Sequence, residues 1–134
     1  MSFAVEIQIV YRYGWECYRA EVELFRVGPG GPTRPTPFIF DTGAEVTMVS
    51  EDVARDLRLP AGGRPVSVTG SVSSGTGRLV PVTFRFVAEP GLTVTTNWVV
   101  LPGNRGIAIL GLRDVLPHFA VRAEDFDMYF IRKP

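Results

Sequence analysis

Residues 37–44 read Pro37-Phe38-Ile39-Phe40-Asp41-Thr42-Gly43-Ala44, an apolar run that stops abruptly at a polar triplet. A short apolar run bounded by turn-forming residues is typical of a buried strand. A second run of this kind, Ile107-Ala108-Ile109-Leu110, stops at Gly111. The sequence therefore predicts two buried strands, each of which ends at a polar residue or a glycine.

The rest of the chain favours an all-β fold. Short runs of aromatic and β-branched residues are separated by Gly, Pro, Ser and Thr at close intervals, the pattern of a sandwich or barrel. A turn is predicted at Gly14, and alternation predicts these inward-facing strand residues: Val5, Ile7, Ile9, Val22, Leu24, Phe126, Met128 and Phe130. Helix is predicted only after Ser50 as N-cap, ending before Pro60, and for one turn from Arg113 to Leu116.

A long hairpin is predicted around a glycine- and serine-rich segment, residues 70–77. Val66 and Val68 alternate with polar residues before this segment, and Val80 and Val82 alternate with polar residues after it. Such alternation favours paired strands, and glycine gives the tip access to many backbone conformations. We therefore expect two paired strands with a pliable tip.

Composition limits the domain count and the classes of partner. The 134 residues fit one domain, spanning 1–134. Lys plus Arg total 14 and Asp plus Glu total 14, so no net field attracts nucleic acid or an anionic membrane. No stretch approaches the ~18 apolar residues of a membrane span, and no basic segment followed by an apolar run opens the chain. We predict a cytoplasmic protein that binds no nucleic acid and has no membrane span. Arginine supplies every basic residue except Lys133, a bias that suggests a bacterial genome.

The single cysteine and the single histidine restrict the chemistry. Cys17 alone cannot form an internal disulfide, and one cysteine with one histidine cannot build a typical zinc site. Nothing in the sequence links His118 to Cys17 as a base for a nucleophile. Both are predicted to be structural, Trp15 and Trp98 are predicted to lie in the core, and neither a metal nor another cofactor is expected.

The Asp41-Thr42-Gly43 triplet, joined by the later Leu110-Gly111, resembles the active-site motifs of the retropepsin-like aspartic proteases, single-domain relatives of pepsin, in their cellular or bacterial branch. In that family one apolar strand delivers Asp-Thr/Ser-Gly to the floor of a cleft, and a second strand ending in glycine packs beside it. The predicted hairpin takes the position of the family's flap. The resemblance implies a closed, barrel-like aspartic protease half-fold with a flap hairpin and one or two short helices.

The resemblance also implies roles for individual residues. Asp41 would be catalytic, and the residues supporting the active site would be Thr42, Gly43, Leu110 and Gly111. Those binding an extended protein or peptide substrate would be Gly43, Ala44, Glu45, Val72, Ser73, Ser74 and Gly75. Apolar side pockets would favour apolar substrate residues. The family's bracing arginine is left undecided, and with it a salt bridge from Arg113 to Glu45, because the segment after Gly111 is one residue longer than in viral members.

Carboxylate chemistry explains why one such triplet per chain predicts a homodimer. Two carboxyl groups within reach of one water cannot both ionise readily, so one stays protonated while the other accepts a proton from the water. The water attacks the scissile carbonyl, and the protonated member donates to the developing oxyanion. A monomer supplies half of this pair, so symmetry must supply the second Asp41.

Two other interpretations stay open. A domain of this kind with a shallow cleft or an unpaired Asp41 would be a non-catalytic peptide-binding or dimerisation module. Asp41 is also compatible with an Asx turn that simply closes a strand, as in a purely structural β-barrel. The complete Asp-Thr-Gly triplet favours an aspartic endopeptidase.

Overall fold

A computed structural model describes residues 2–69 and 75–134, in which β-strands dominate. The elements in chain order are β1 (Ser2–Arg12), β2 (Trp15–Arg26), β3 (Thr36–Phe40), β4 (Met48–Ser50), α1 (Glu51–Asp56), β5 (Arg64–Val68), β6 (Gly75–Phe86), β7 (Glu89–Leu101), β8 (Ala108–Leu110), a 3₁₀ turn (Leu112–Asp114), β9 (Phe119–Glu124) and β10 (Asp127–Arg132). The all-β prediction with short helical segments is confirmed.

The strands form one sheet that curls back on itself. Their order is β5-β6-β7-β4-β8-β3-β2-β1-β10-β9, and β6 also pairs with β2. The second pairing closes a ring that contains β6, β7, β4, β8, β3 and β2. Within the ring, β8 runs parallel to β3 and antiparallel to β4. The chain after β3 must therefore cross the end of β8 to reach β4.

Aromatic side chains fill the core. Phe86, Phe119 and Phe130 are fully buried and meet one another at centroid distances of 5.4 to 6.4 Å, mostly edge to face. Phe38 and Phe84 lie 5.4 and 5.2 Å from Trp98, which is also fully buried. Edge-to-face and tilted pairs stabilise a core beyond the area that they bury. The prediction that Trp98 is a core residue is confirmed.

The hairpin of β1 and β2 extends beyond this core. Its turn has positive φ at Tyr13 (54°) and Gly14 (80°), the geometry of a tight two-residue hairpin turn. Val5 is 5% exposed, whereas Ile9 on the same face is 57% exposed and Trp15 is 74% exposed. The predictions that Ile9 faces inward and that Trp15 lies in the core are wrong, because the strands outrun the sheet that would cover them.

The short helix α1 begins directly after Ser50, as predicted, but Ser50 caps it differently. The Ser50 side chain makes no cap hydrogen bond to the helix backbone. Its hydroxyl instead accepts a hydrogen bond from the Ile107 backbone N–H at 2.8 Å. The inner face of the helix is buried, with Val53 and Leu57 in the core. Ser50 thus links the end of β4 to the segment that leads into β8.

Strand β9 is not anticipated by the sequence pattern. It pairs with β10 through a turn in which Asp125 has a φ of 51°. Only Phe119 of its six residues is buried, so the strand lacks the apolar alternation that predicts a half-buried strand. The terminal strand β10 is confirmed, with Phe130 buried, but Phe126 lies outside it and is 65% exposed.

No helix in the described ranges is long and apolar enough to traverse a lipid bilayer.

Candidate active site

Asp41 lies where two parallel strands end side by side. The ladder between β3 and β8 pairs Ile39 with Ile109 and Phe40 with Leu110. The Asp41 backbone N–H extends the ladder by donating to the Leu110 carbonyl at 3.2 Å. The two apolar runs of the sequence are therefore neighbours, as the resemblance implied, and Asp41 lies beside Leu110 and Gly111.

The carboxylate of Asp41 is oriented by its own loop. Its Oδ1 accepts a hydrogen bond from the Gly43 backbone N–H at 2.8 Å, and its carbonyl accepts one from the Ala44 N–H at 3.0 Å. This is an Asx turn, in which the side chain mimics a backbone acceptor. Within residues 2–69 and 75–134, no side chain or backbone group hydrogen-bonds the other oxygen, Oδ2. One oxygen therefore fixes the orientation of the carboxylate, and the second has no hydrogen-bond partner among the described residues.

Gly111 lies where the loop after Asp41 crosses the end of β8. A Cβ at this position would lie 2.3 Å from the Val46 carbonyl carbon and 2.8 Å from the Thr47 backbone nitrogen. Real Cβ atoms do not approach backbone this closely, so only glycine fits. The supporting role predicted for Gly111 thus has a steric basis, which is the close approach of two chain segments.

Beyond the crossing, the two segments run side by side. The Leu112 N–H donates to the Ala44 carbonyl and the Arg113 N–H donates to the Glu45 carbonyl, each at 2.9 Å. The Arg113 side chain also forms an ion pair with Glu45 at 3.0 Å. The side chains are 67% and 74% exposed, so water screens their attraction and the pair contributes little stability. The extra residue after Gly111 does not prevent this contact.

A buried carboxylate, that of Asp114, supports the crossing through hydrogen bonds. Asp114 is 1% exposed, and its Oδ2 accepts hydrogen bonds from Thr47 Oγ1 at 2.6 Å and from Trp98 Nε1 at 2.9 Å. Thr47 Oγ1 in turn accepts the Gly111 N–H at 3.0 Å. Since that hydroxyl has one proton, which it donates to Asp114, the donor and the acceptor are fixed at each hydrogen bond of this series. Neither Asp114 nor Thr47 was predictable from the sequence, because nothing in the local pattern distinguishes a buried aspartate from an exposed one.

A cleft of about 790 Å³ opens beside Asp41, and we call it the Asp41 cleft. The ladder between β2 and β3 stops at the pair Glu21 and Ile39, so the two strands separate there and the cleft lies between them. The lining residues are Val10, Cys17, Tyr18, Arg19, Ala20, Ile39, Phe40, Asp41, Thr42, Arg105, Gly106, Ile107, Ala108 and Ile109. Asp41 is the one carboxylate among them.

Cys17 and Tyr18 also line the cleft, although no role at the site was predicted for them from the sequence. Cys17 is a partly buried free thiol. The Tyr18 hydroxyl donates to Glu16 at 3.0 Å, and this hydrogen bond raises the pKa of the phenol. The extended β2–β3 register is the signal that would have identified this stretch as a neighbour of Asp41.

The other predicted substrate-binding residues lie around this region. Thr42 and Gly43 are exposed on the loop, Ala44 is 7% exposed, and Glu45 points outward to Arg113. Gly75 is the exposed first residue of β6, which pairs with β5 in the predicted hairpin. Val72, Ser73 and Ser74 lie outside the described residues.

The base of that hairpin is attached to α1 through Arg78. Its Nε and Nη2 donate to Glu51 at 2.9 and 3.0 Å, and its Nη1 donates to the carbonyls of Pro60 and Gly62 at 2.6 Å. The Arg78 hydrogen bonds lower the pKa of the Glu51 carboxyl, and the same pairing raises the pKa of Arg78. A two-pronged Arg–carboxylate contact fixes geometry as well as charge. The hairpin base is therefore a rigid support.

Comparison with known proteins agrees with this geometry. A crystal structure of a retropepsin-like aspartic protease from Rickettsia conorii superposes with a TM-score of 0.65 at 13% identity, covering 97% of this chain and 89% of that one. No curated protein sequence matches the chain. A family model described as aspartyl protease matches residues 25–113, a segment that contains Asp41, the hairpin and Gly111. The chain therefore belongs to the aspartyl protease family and has the retropepsin-like fold.

Proposed function

We propose that the protein is an aspartic endopeptidase that is active as a homodimer, in which Asp41 of each subunit contributes to one shared site. The observation that carries this proposal is the Asp41 carboxylate itself. One of its oxygens is fixed by the Gly43 N–H, the other has no hydrogen-bond partner among the described residues, and no second carboxylate lines the Asp41 cleft in the described chain. A site with half of a carboxylate pair requires a second copy of the chain.

In the proposed mechanism, the two Asp41 carboxyl groups share one proton over a water molecule. The ionised member accepts a proton from the water as it attacks the scissile carbonyl carbon. The protonated member donates a hydrogen bond to the oxygen on which negative charge develops. The resulting tetrahedral intermediate collapses when the Asp41 carboxyl that took the proton from water gives it to the nitrogen of the leaving amine and the C–N bond breaks, which restores the starting pair with one proton. No covalent enzyme intermediate is needed.

The surrounding residues support this chemistry by keeping Asp41 in place. Thr42 is exposed and free to reach a symmetry mate, and Gly43 leaves room for a substrate backbone. The hairpin of β5 and β6, with its base fixed by Arg78, would act as a flap over an extended substrate. The lone cysteine fits a reducing compartment such as the cytoplasm.

The decisive experiment mixes wild-type protein with an Asp41→Asn variant at constant total concentration and follows cleavage of a peptide library. If each site needs two carboxylates, a one-to-one mixture in exchange equilibrium keeps about one quarter of the wild-type activity, because only doubly wild-type dimers cleave. A monomeric enzyme would keep about one half. Asp127→Asn, at an exposed position on β10, serves as the matched control and should leave activity unchanged. Full activity in pure Asp41→Asn would exclude Asp41 as the catalytic group.

A second candidate function is a non-catalytic peptide-binding or dimerisation module. The Asx turn at Asp41 favours it, because a carboxylate that closes a turn has a structural role without any catalysis. Sedimentation and peptide binding separate the two functions. If the wild type dimerises and binds peptides but cleaves none of them, the module explains the protein and the endopeptidase does not.

A further inference from the structure

The charge of the Asp41 cleft is unusual for a site whose catalytic group is acidic. Three charged residues line it within the described chain: Asp41, Arg19 and Arg105. The proposed mechanism uses the carboxylate and neither arginine. The remaining lining is largely apolar, as in Val10, Ile39 and Ile109. The cleft therefore has two cationic groups that hydrolysis itself does not require.

Arg19 lines the same cleft as the proposed reacting group. The β2–β3 register pairs Glu21 with Ile39 and Val22 with Phe38, so Arg19 and Asp41 each lie two residues beyond the last pair on their own segment. Both residues line the cleft that opens there. Residues two apart on a strand share one face, so Arg19 lies on the same face of β2 as Glu21.

The charge of Arg19 is not neutralised by a close partner. The side chain is partly buried, and it forms no ion pair with any described residue. Its nearest acidic neighbour on the strand face, Glu21, is about 7 Å away along the backbone. Opposite Arg19 on β1 lies Gln8, which is uncharged. A partly desolvated guanidinium without a carboxylate is a binding site for one, because pairing restores the interaction that burial removed.

Arg105 lines the same cleft from a different part of the chain. It precedes Gly106 and Ile107 in the segment that leads into β8, and all three line the cleft. A substrate strand lying in the cleft would thus meet residues Arg19 and Arg105 as well as Asp41. Arginine presents several donors in a planar fork that matches the two oxygens of a carboxylate. The side-chain amide of Gln or Asn, which has the same size, matches this fork poorly.

We propose that the Asp41 cleft selects peptides with an acidic side chain, Asp or Glu, close to the scissile bond, and that Arg19 is the main determinant with Arg105 as the second. This inference rests on the proposed endopeptidase function for its location. It adds a cationic recognition point to the apolar side pockets that the resemblance implies.

The test compares matched peptides that differ only by Glu or Gln at each position flanking the bond. We expect wild-type kcat/KM to favour the best Glu peptide by about ten- to a hundredfold, the range for a charge-assisted hydrogen bond. Arg19→Gln should remove most of this ratio, and Arg19→Glu should reverse the preference towards a matched Lys peptide. Arg122→Gln, at an exposed position on β9, is the control and should keep the wild-type ratio.

Binding of the same peptides to Asp41→Asn, measured by calorimetry, separates this proposal from the proposed function. If the wild-type protein cleaves no peptide, but Glu peptides bind more tightly than Gln peptides and Arg19→Gln abolishes that difference, the acidic specificity stands and the endopeptidase does not. If peptides are cleaved with equal kcat/KM for Glu and Gln, or if Arg19→Gln keeps the wild-type ratio, the specificity proposal is overturned and the endopeptidase stands. If Glu and Gln peptides bind equally and the wild-type protein cleaves neither, the specificity proposal and the endopeptidase proposal are both overturned.

Discussion

Replacing Gly111 with alanine should be among the most damaging single changes in this protein. The added Cβ would lie 2.3 Å from the Val46 carbonyl carbon, 2.5 Å from its oxygen and 2.8 Å from the Thr47 nitrogen. All three are backbone atoms, which cannot rotate away as a flexible side chain does. Relief of the overlap requires the loop after Asp41 and the end of β8 to separate by about an ångström, the difference from ordinary van der Waals contact.

The cost follows from what this separation breaks. Three hydrogen bonds cross the contact, from the backbone N–H groups of Gly111, Leu112 and Arg113. Each is worth roughly 1 kcal/mol, and overpacking adds about 1–3 kcal/mol. If two of the three bonds weaken, the free energy of unfolding falls by about 3–5 kcal/mol, a large share of the ~5–15 kcal/mol typical of a domain.

Urea unfolding at matched protein concentration measures this loss. With a slope near ~1.5 kcal/mol per molar urea, the midpoint should drop by about 2–3 M. Gly91→Ala is the matched control, because a Cβ there would meet only Glu89 Oε1 at 3.7 Å, and its midpoint should move little. An unfolding free energy for Gly111→Ala within about 0.5 kcal/mol of wild type would refute the close-approach argument.

Three further predictions concern ionisable groups. Arg78 lowers the pKa of Glu51 below 4.5 in the folded protein. The Glu51–Arg78 pair therefore stabilises the fold fully above the pKa that Glu51 has in the unfolded chain, and this stabilisation is lost as the pH falls through the pKa of Glu51 in the folded chain. Glu51→Gln should therefore cost about 0.5–1 kcal/mol at pH 7, reduced by solvent screening, and almost nothing near pH 3; a gap that does not shrink with acidification would contradict this. Asp114→Ala strands the Trp98 indole N–H and should cost about 2–4 kcal/mol in urea unfolding, whereas Asp114→Asn, which keeps an acceptor oxygen, should cost clearly less; equal losses would show that the hydrogen bonds are not what matters. Burial lowers the pKa of His118 below 6.5, so its proton favours the unfolded chain and stability should decline as pH falls below 6.5; an NMR titration midpoint at or above 6.5 would disprove it.

The sequence was most informative where the chemistry is local. Asp41 and Gly111 were identifiable because each ends an apolar run and the two together resemble the active-site motifs of the retropepsin-like aspartic proteases. The reason for the glycine was not visible, since it depends on the Val46 backbone, far away along the chain. The position of Gly111 was therefore predictable, and its steric necessity was not.

Side-chain burial was predicted less well than strand position. Trp15 is a strong strand former and would ordinarily be assigned to a core, but its hairpin projects beyond the sheet. Asp114 would ordinarily be assigned to the surface, but Thr47, just before β4, and Trp98, on β7, donate to it. Both outcomes depend on tertiary neighbours, which no periodicity within a short window encodes.

The crossing at Gly111 also bears on when the site can exist during folding. Glu45 and Arg113, which meet beside it, are separated by 68 residues, so their contact requires closure of a long loop. On a ribosome, the Asp41 turn emerges well before β8 is synthesised and cannot acquire its neighbour until then. We therefore expect the nascent chain to be catalytically silent, and assembly of the site to be one of the later and slower steps in folding.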